Sequence, residues 1–380
     1  MLRKFLFWSH LVVGISVGIV VFVMSVTGVL LTYEAQIKEW ESALYSVRPQ
    51  AGEQRLTTDE VLNIGREKHP DEKHIYIHQI NEEGRAIPIW VGHHRYLLSP
   101  YSGDILQIGE SSIVESLHFI EALHRWLALK GKQQALAKEI TAYSNLLFLF
   151  LIVSGAYLWL PRRLSWSSIK QYIFFKRQFK SLHAKHFNWH HVLGFWALVP
   201  LFVIVATATV FHFHWANEML YGVYGEEAPG PRKNRVAVAL VDGKQNYETL
   251  FAIAKQHAND NGAVDWHSMW IEFGRESGNT RFYIDRALGN DYSAAYALFL
   301  DNNTGEVVKV KGGSDWSKGA QAWGVVRFLH TGEYFGFIGQ TIAGFASLAA
   351  CFLVYTGFTL SWRRLVSPYF RKIEQSTIKS

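Results

Sequence analysis

The chain has 380 residues, 49% of them hydrophobic and 15% aromatic, with 38 Lys and Arg against 32 Asp and Glu. The mean hydropathy of +0.02 averages two kinds of sequence, long uncharged stretches and polar segments between them. The +6 charge comes from a few basic segments and gives no reason to invoke nucleic acid, and the single cysteine, Cys351, excludes a disulfide framework or a thiolate cluster.

Residues 11–33, 140–161, 192–217 and 334–362 contain no Asp, Glu, Lys or Arg. Each is long enough to cross a hydrocarbon core of ~30 Å as a helix. The first, with 23 uncharged residues and only a weak cleavage site at Ser25-Val-Thr-Gly-Val, reads as a retained helix rather than a signal peptide. The chain therefore divides into 1–33 (N-terminus and first span), 34–139 (first external domain), 140–161 (second span) and 162–191 (basic loop). It continues with 192–217 (third span), 218–333 (second external domain), 334–362 (fourth span) and 363–380 (tail). Arg3 and Lys4, the 162–191 loop and the tail together hold 14 bases and one acid, whereas the rest of the chain holds 24 bases and 31 acids. The positive-inside rule then predicts both termini and the basic loop in the cytoplasm, with 34–139 and 218–333 outside.

In the first external segment, Thr57 to His69 is a predicted helix with Thr58 as N-cap and Pro70 past its end. His74–Ile80, Arg85–Val91 and Tyr96–Ser99 read as short strands, and Ser102-Gly103 as a hairpin turn. Ser111–Leu129 is an amphipathic helix leading to the second span. The second segment opens with a short helix at Trp215–Tyr224. It then has a helix near Tyr247–His257, strands at Asp265–Phe273, Arg281–Arg286 and Ala294–Leu300, and a turn at Thr304-Gly305.

The two halves look like a repeat. His10 and Gly14 align with His190 and Gly194 at an offset of 180, where Thr27-Gly28 falls on Thr207-Ala208. Gly103 falls on Gly305 and Gly155 on Gly357 at an offset of 202. Each half reads as helix, external α+β domain, helix.

Histidines stand at matching positions of both halves. His10 and His190 open the first and third spans, and His124 and His330 precede the second and fourth. Two axial imidazoles make a haem iron six-coordinate and suited to electron transfer. Without a Cys-x-x-Cys-His segment, such a haem would be the non-covalent b type. Glycine one helical turn after His10 or His190 lies on the same helix face and leaves room for a flat macrocycle. The competing reading is that these are ordinary interfacial histidines among the 17 in the chain. His212, His214, His191 and His118 are alternative ligands. His183, His186, His69, His74, His78, His93 and His94 read as solvated loop or strand residues, and His93-His94 lacks the spacing of a fixed metal site. Arg125, Arg327 and Arg95 are candidate partners for haem propionates. Trp8, Trp126, Trp159, Trp189, Trp196, Trp323 and Trp362 fit an interfacial belt. No P-loop, GxGxxG or GxSxG is present, and no ionisable residue lies deep in a span, which argues against a proton-coupled transporter.

The chain resembles the PepSY-associated transmembrane-helix family of bacterial inner-membrane proteins, which includes iron-regulated membrane proteins and siderophore reductases. The resemblance rests on His10-x-x-x-Gly14 with Thr27-Gly28, Leu123-His-Arg leading to Gly155-Ala-Tyr-Leu-Trp-Leu-Pro-Arg-Arg, and His190-x-x-x-Gly194-Phe-Trp. Trp215-Ala-Asn and Leu329-His-Thr-Gly-Glu-Tyr-Phe-Gly leading to Thr356-Gly and Trp362-Arg-Arg complete it. It implies an α-helical membrane protein with four transmembrane helices in two repeats and two small α+β PepSY-like periplasmic domains. It also implies a location in the bacterial inner membrane and two haem b groups on His10, His190, His124 and His330. The activity implied is reduction of a ferric siderophore or other ferric chelate, fed by a cytoplasmic or membrane electron donor. The alternatives are a non-enzymatic PepSY module that binds a partner or peptide, and a permease subunit for siderophore uptake. The chain departs from the pattern at Thr207-Ala208, where the first half has Thr-Gly.

Overall fold

The computed structural model describes residues 1–161, 165–230, 242–276, 278–287, 295–312 and 315–367. The Arg162-Arg163 pair, Ala294 and the tail bases Arg371, Lys372 and Lys379 lie outside them. The chain forms two compact units.

The first unit holds four long helices, α1 (Leu2–Leu31), α5 (Lys132–Trp159), α7 (Leu182–His212) and α11 (Gly336–Leu365). All four are long and apolar enough to cross a membrane. They extend the expected spans at several ends because the flanking residues, though polar, keep helical backbone hydrogen bonding. The third span is shorter at its end than expected. Phe213 adopts an extended backbone (ψ 123°) and a new helix, α8 (His214–Gly222), starts beyond it.

Helices α1 and α7 each pack on both α5 and α11, so α1 and α7 stand diagonally in a closed bundle. Small residues set the close approaches. A side chain at Gly18 would come within 2.6 Å of the Phe358 ring, and one at Gly344 within 3.1 Å of Thr32. Ile152, Ala197, Leu201, Val205, Ala346 and Ala350 fill the middle. In a bilayer the lipid is as apolar as these side chains, so packing and buried hydrogen bonds carry the association. Asn145 of α5 supplies such bonds, donating to the Val205 carbonyl and the Thr209 hydroxyl of α7, both at 3.1 Å. Helix α4 (Ser112–Trp126) precedes α5, joined through Leu127 and Ala128, both at positive φ. The short α6 (Trp166–Ile173) precedes α7, and α10 (Lys318–Thr331) precedes α11.

The second unit is built on one eight-stranded antiparallel sheet. Its strands are β1 (Ile75–Ile80), β2 (Ile87–Val91), β3 (His94–Leu98), β4 (Ile105–Ile108), β5 (Ser268–Glu276), β6 (Asn279–Asp285), β7 (Ala295–Asp301) and β8 (Val307–Gly312). The strand order is β4-β3-β2-β1-β5-β6-β7-β8. The expectation of two separate small domains is corrected here. The first strands of the two segments pair along their length, from Ile75 opposite Phe273 to Ile80 opposite Ser268. This pairing removes two sheet edges that would otherwise be exposed. Strands β4 and β8, which the sequence reading did not assign, follow the anticipated turns. Gly103 and Gly305 sit there at φ +75° and +76°, a conformation that glycine adopts without cost.

Helices α2 (Glu34–Ala43), α3 (Thr58–Lys68) and α9 (Tyr247–Asp260) belong to this unit. The alternation of strand side chains puts Ile75, Ile77, Ile89, Ile271 and Phe273 into the core shared with Val61 and Leu62 of α3 and Leu250 and Ala254 of α9. The N-cap of α3 is Thr57, not Thr58. Thr57 forms a capping box with Glu60, which frees Thr58 for a second task. Glu248 of α9 accepts from the Thr58 amide (2.7 Å) and hydroxyl (2.9 Å). In return, Asp59 of α3 accepts from the Tyr247 and Glu248 amides at 3.0 and 2.8 Å. Each helix start is thus satisfied by a carboxylate of the other helix, as orphan N–H groups require. Asp59→Ala and Glu248→Ala should each cost about 1 kcal/mol. The double variant should lose less than the sum if the two caps act as one unit. Urea unfolding, followed by hydrogen exchange at β1 and β5, measures both.

Candidate functional site

The four matching histidines lie in the helical unit, and the fold brings them together in pairs. At one end of the bundle, His10 of α1 and His190 of α7 line one cavity of about 1890 Å³. Five glycines line the same cavity: Gly14 and Gly194 one turn after each histidine, Gly18 one turn further along α1, and Gly155 and Gly357 on the neighbouring helices. A side chain at Gly155 would stand 3.2 Å from His10 Cε1, and one at Gly357 3.7 Å from His190 Cε1. The contact at Gly155 is tight enough that the His10 ring would have to give way, whereas that at Gly357 is ordinary packing distance. Arg3, Lys4, Arg363 and Arg364 also line the cavity, with no Asp or Glu among the described residues there.

At the other end, His124 of α4 and His330 of α10 face each other, with ring centres 6.4 Å apart and ring planes at 60°. Two metal–nitrogen bonds of about 2 Å, with the ring radii, place the centres of two axial imidazoles about 6 Å apart. The observed separation therefore fits one iron between them.

Each imidazole is held from behind through Nδ1. His10 meets the Ser154 hydroxyl, His190 the Thr356 hydroxyl and His124 the Thr27 hydroxyl, all at 2.9 Å. His330 Nδ1 meets the Ile204 carbonyl at 2.9 Å and the Thr207 hydroxyl at 3.4 Å. Such outer contacts orient a metal-binding histidine. Among the described residues no three His, Cys, Asp or Glu side chains converge as a metal-ion site. A porphyrin brings four ring nitrogens of its own, so a pair of histidines suffices for it.

The alternative ligands are placed differently. His191 lines the same cavity as His190, but its Nδ1 lies 2.9 Å from the Phe187 carbonyl and its ring stacks on Tyr172. His212 ends α7. His214 is exposed and pairs with Glu218 at 3.1 Å. His118 is exposed on α4. Of the arginines suggested for propionates, Arg125 pairs with Glu121 and lies over Trp126, and Arg327 lies over Phe328. Arg95 belongs to the sheet unit, where it donates to the Gly109 carbonyl and lies over Trp90. The cations that line a histidine cavity are instead Arg3, Lys4, Arg363 and Arg364, which the sequence reading had not proposed as propionate partners.

Three histidines depart from the expectation of solvated side chains; one is His186, whose Nδ1 is buried and whose ring packs edge-on to Tyr355. His78 stacks on Trp270 at 4.2 Å, and burial pushes its pKa down to about 3. His69 stacks on His94 at 4.2 Å and meets the Tyr96 hydroxyl at 2.7 Å.

Four apolar helices closed into a bundle, with a histidine pair at each end and a separate sheet unit, define a multi-pass membrane protein. The family model described as the PepSY-associated TM region matches residues 7–364, and the chain belongs to that family. No match was found among curated proteins.

Proposed function

We propose that the protein is a di-haem b electron-transfer protein of the bacterial inner membrane that reduces a ferric siderophore or similar ferric chelate on the periplasmic side. The observation that carries this reading is a pair of histidines at each end of one bundle, His124 and His330 facing each other and His10 and His190 lining one glycine-rich cavity. His10 and His190 would hold one haem and His124 and His330 the other, and Arg3, Lys4, Arg363 and Arg364 would balance the inner propionates. When bound, haem b supplies one-electron chemistry at potentials set by its axial ligands and surroundings. The protein's own part would be to hold the groups on four packed helices. Reduction releases iron from hard oxygen ligands because Fe(II) is held less tightly by them than Fe(III).

The excess of bases in the N-terminus, the 162–191 loop and the tail supports an orientation with these segments in the cytoplasm. The His10–His190 end would then face inward and the sheet unit would be periplasmic. Reporter fusions after Lys180 and at the C-terminus should report cytoplasm, and a fusion at Gly84 periplasm. A periplasmic signal after Lys180 would reverse the assignment of both histidine pairs. A reduced-minus-oxidised spectrum of the purified protein, with haem quantified per chain, tests the reading itself. Two extractable haem b groups per chain are expected, and a colourless protein from haem-replete cells would overturn it.

A further inference from the structure

Thr27-Gly28, Ser154-Gly155, Thr207-Ala208 and Thr356-Gly357 are one dipeptide repeated on the four spans. In each, the hydroxyl lies 2.7 Å from the carbonyl four residues earlier on its own helix, those of Val23, Phe150, Val203 and Phe352. A carbonyl can only accept, and the 2.7 Å contact to it is shorter than the 2.9 to 3.4 Å contact to the imidazole, which favours the hydroxyl donating to its own helix. A hydroxyl has one proton, and its oxygen can then only accept from the imidazole that faces it. At His10, His190 and His124 this makes Nδ1 the N–H donor. At His330 the nearest partner is the Ile204 carbonyl at 2.9 Å, which can only accept; at His124 and His190 the equivalent carbonyls of Met24 and Leu353 act beside the hydroxyls at 2.9 Å. A neutral imidazole carries one N–H, so all four rings are left with a bare Nε2.

We infer that Thr27, Ser154 and Thr356 are positioning residues, which lock His124, His10 and His190 in the tautomer and orientation that offer Nε2 to iron. Thr207 is not one. The Ile204 carbonyl does its work for His330, whose Nδ1 stands 3.4 Å from the Thr207 hydroxyl. The residue after Thr207 is the one alanine in the series, where the other three positions have glycine. At Gly28, Gly155 and Gly357 an added side chain would meet the imidazole itself, 3.2 to 3.7 Å from its Cε1. The inference rests on the haem reading above for what Nε2 binds. The state of the ring rests on the hydrogen bonds alone.

Two measurements test it. First, ¹⁵N-histidine spectra of the full-length haem-free protein should show Nδ1–H resonances for the four residues, assigned by single substitutions. Nε2–H resonances would overturn the inference whether or not haem binds. Second, haem affinity should fall roughly 10- to 100-fold in Thr27→Val, Ser154→Ala and Thr356→Val, with a shifted midpoint potential and altered low-spin EPR g-values for the affected haem. Thr207→Val should keep the affinity and g-values of the unmodified protein. Thr27→Ser, Ser154→Thr and Thr356→Ser should restore both, which separates the hydroxyl from general folding. A haem-loaded protein in which Ser154→Ala and Thr356→Val bind as tightly as before, or in which Thr207→Val is as damaging as Thr27→Val, would overturn this inference alone. An unmodified protein that binds no haem would overturn the parent reading and the role toward iron with it.

Discussion

In His10→Ala protein the haem content should fall from two to about one per chain, with the remaining haem keeping its spectrum and potential. His10 lines the inner cavity with His190, and a bis-histidine centre that loses one axial ligand loses its low-spin state and much of its affinity. His190→Ala should have the same effect. His124→Ala and His330→Ala should remove the other haem instead, because their rings stand 6.4 Å apart and would serve one centre under the proposed assignment. The measure is the pyridine haemochrome per chain, with the low-spin EPR signals of the two centres resolved. Full haem content in all four variants would discard the ligand assignment. Loss in His212→Ala in place of one outer variant would move a single ligand to the end of α7.

The second large effect concerns the side from which the reaction is driven. A bundle that spans a hydrocarbon core of ~30 Å is too thick for one centre to serve both faces. In oriented vesicles, reduction of an external ferric chelate by a reductant sealed inside should be abolished by His10→Ala. Dithionite added outside should still drive much of the reaction in the same variant. Fe(II) formation, followed with a ferrous-specific dye, reads both regimes. Equal loss in both, with the outer haem spectrally intact, would count against conduction across the membrane and favour a structural role for the inner histidines.

The spans, the turn glycines and the four histidines were legible in the chain because they are local. Helices that must satisfy their backbone inside lipid need long uncharged runs. Gly103 and Gly305 mark turns through their own φ angles, and His10 and His190 repeat at a fixed offset. The pairing of β1 with β5 was not legible. Ile75–Ile80 and Ser268–Glu276 alternate as any half-buried strands do, and nothing in either names its neighbour about two hundred residues away. The reciprocal caps of α3 and α9 were hidden for the same reason: Asp59 and Glu248 read as ordinary first-turn acids until the two helix starts stand side by side.

The site divides in the same way. Imidazole chemistry and matching positions in the two halves singled out His10, His124, His190 and His330 as candidates among the 17 histidines. The partner of each ring, and therefore which nitrogen is free, was decided by tertiary structure. Ser154 faces His10 and Thr356 faces His190 only because α1 packs on α5 and α7 on α11. The cations that line the inner cavity show the same limit. Arg3 and Arg364 lie at opposite ends of the chain, and a single surface of charge arises only when the bundle closes and places both around one opening.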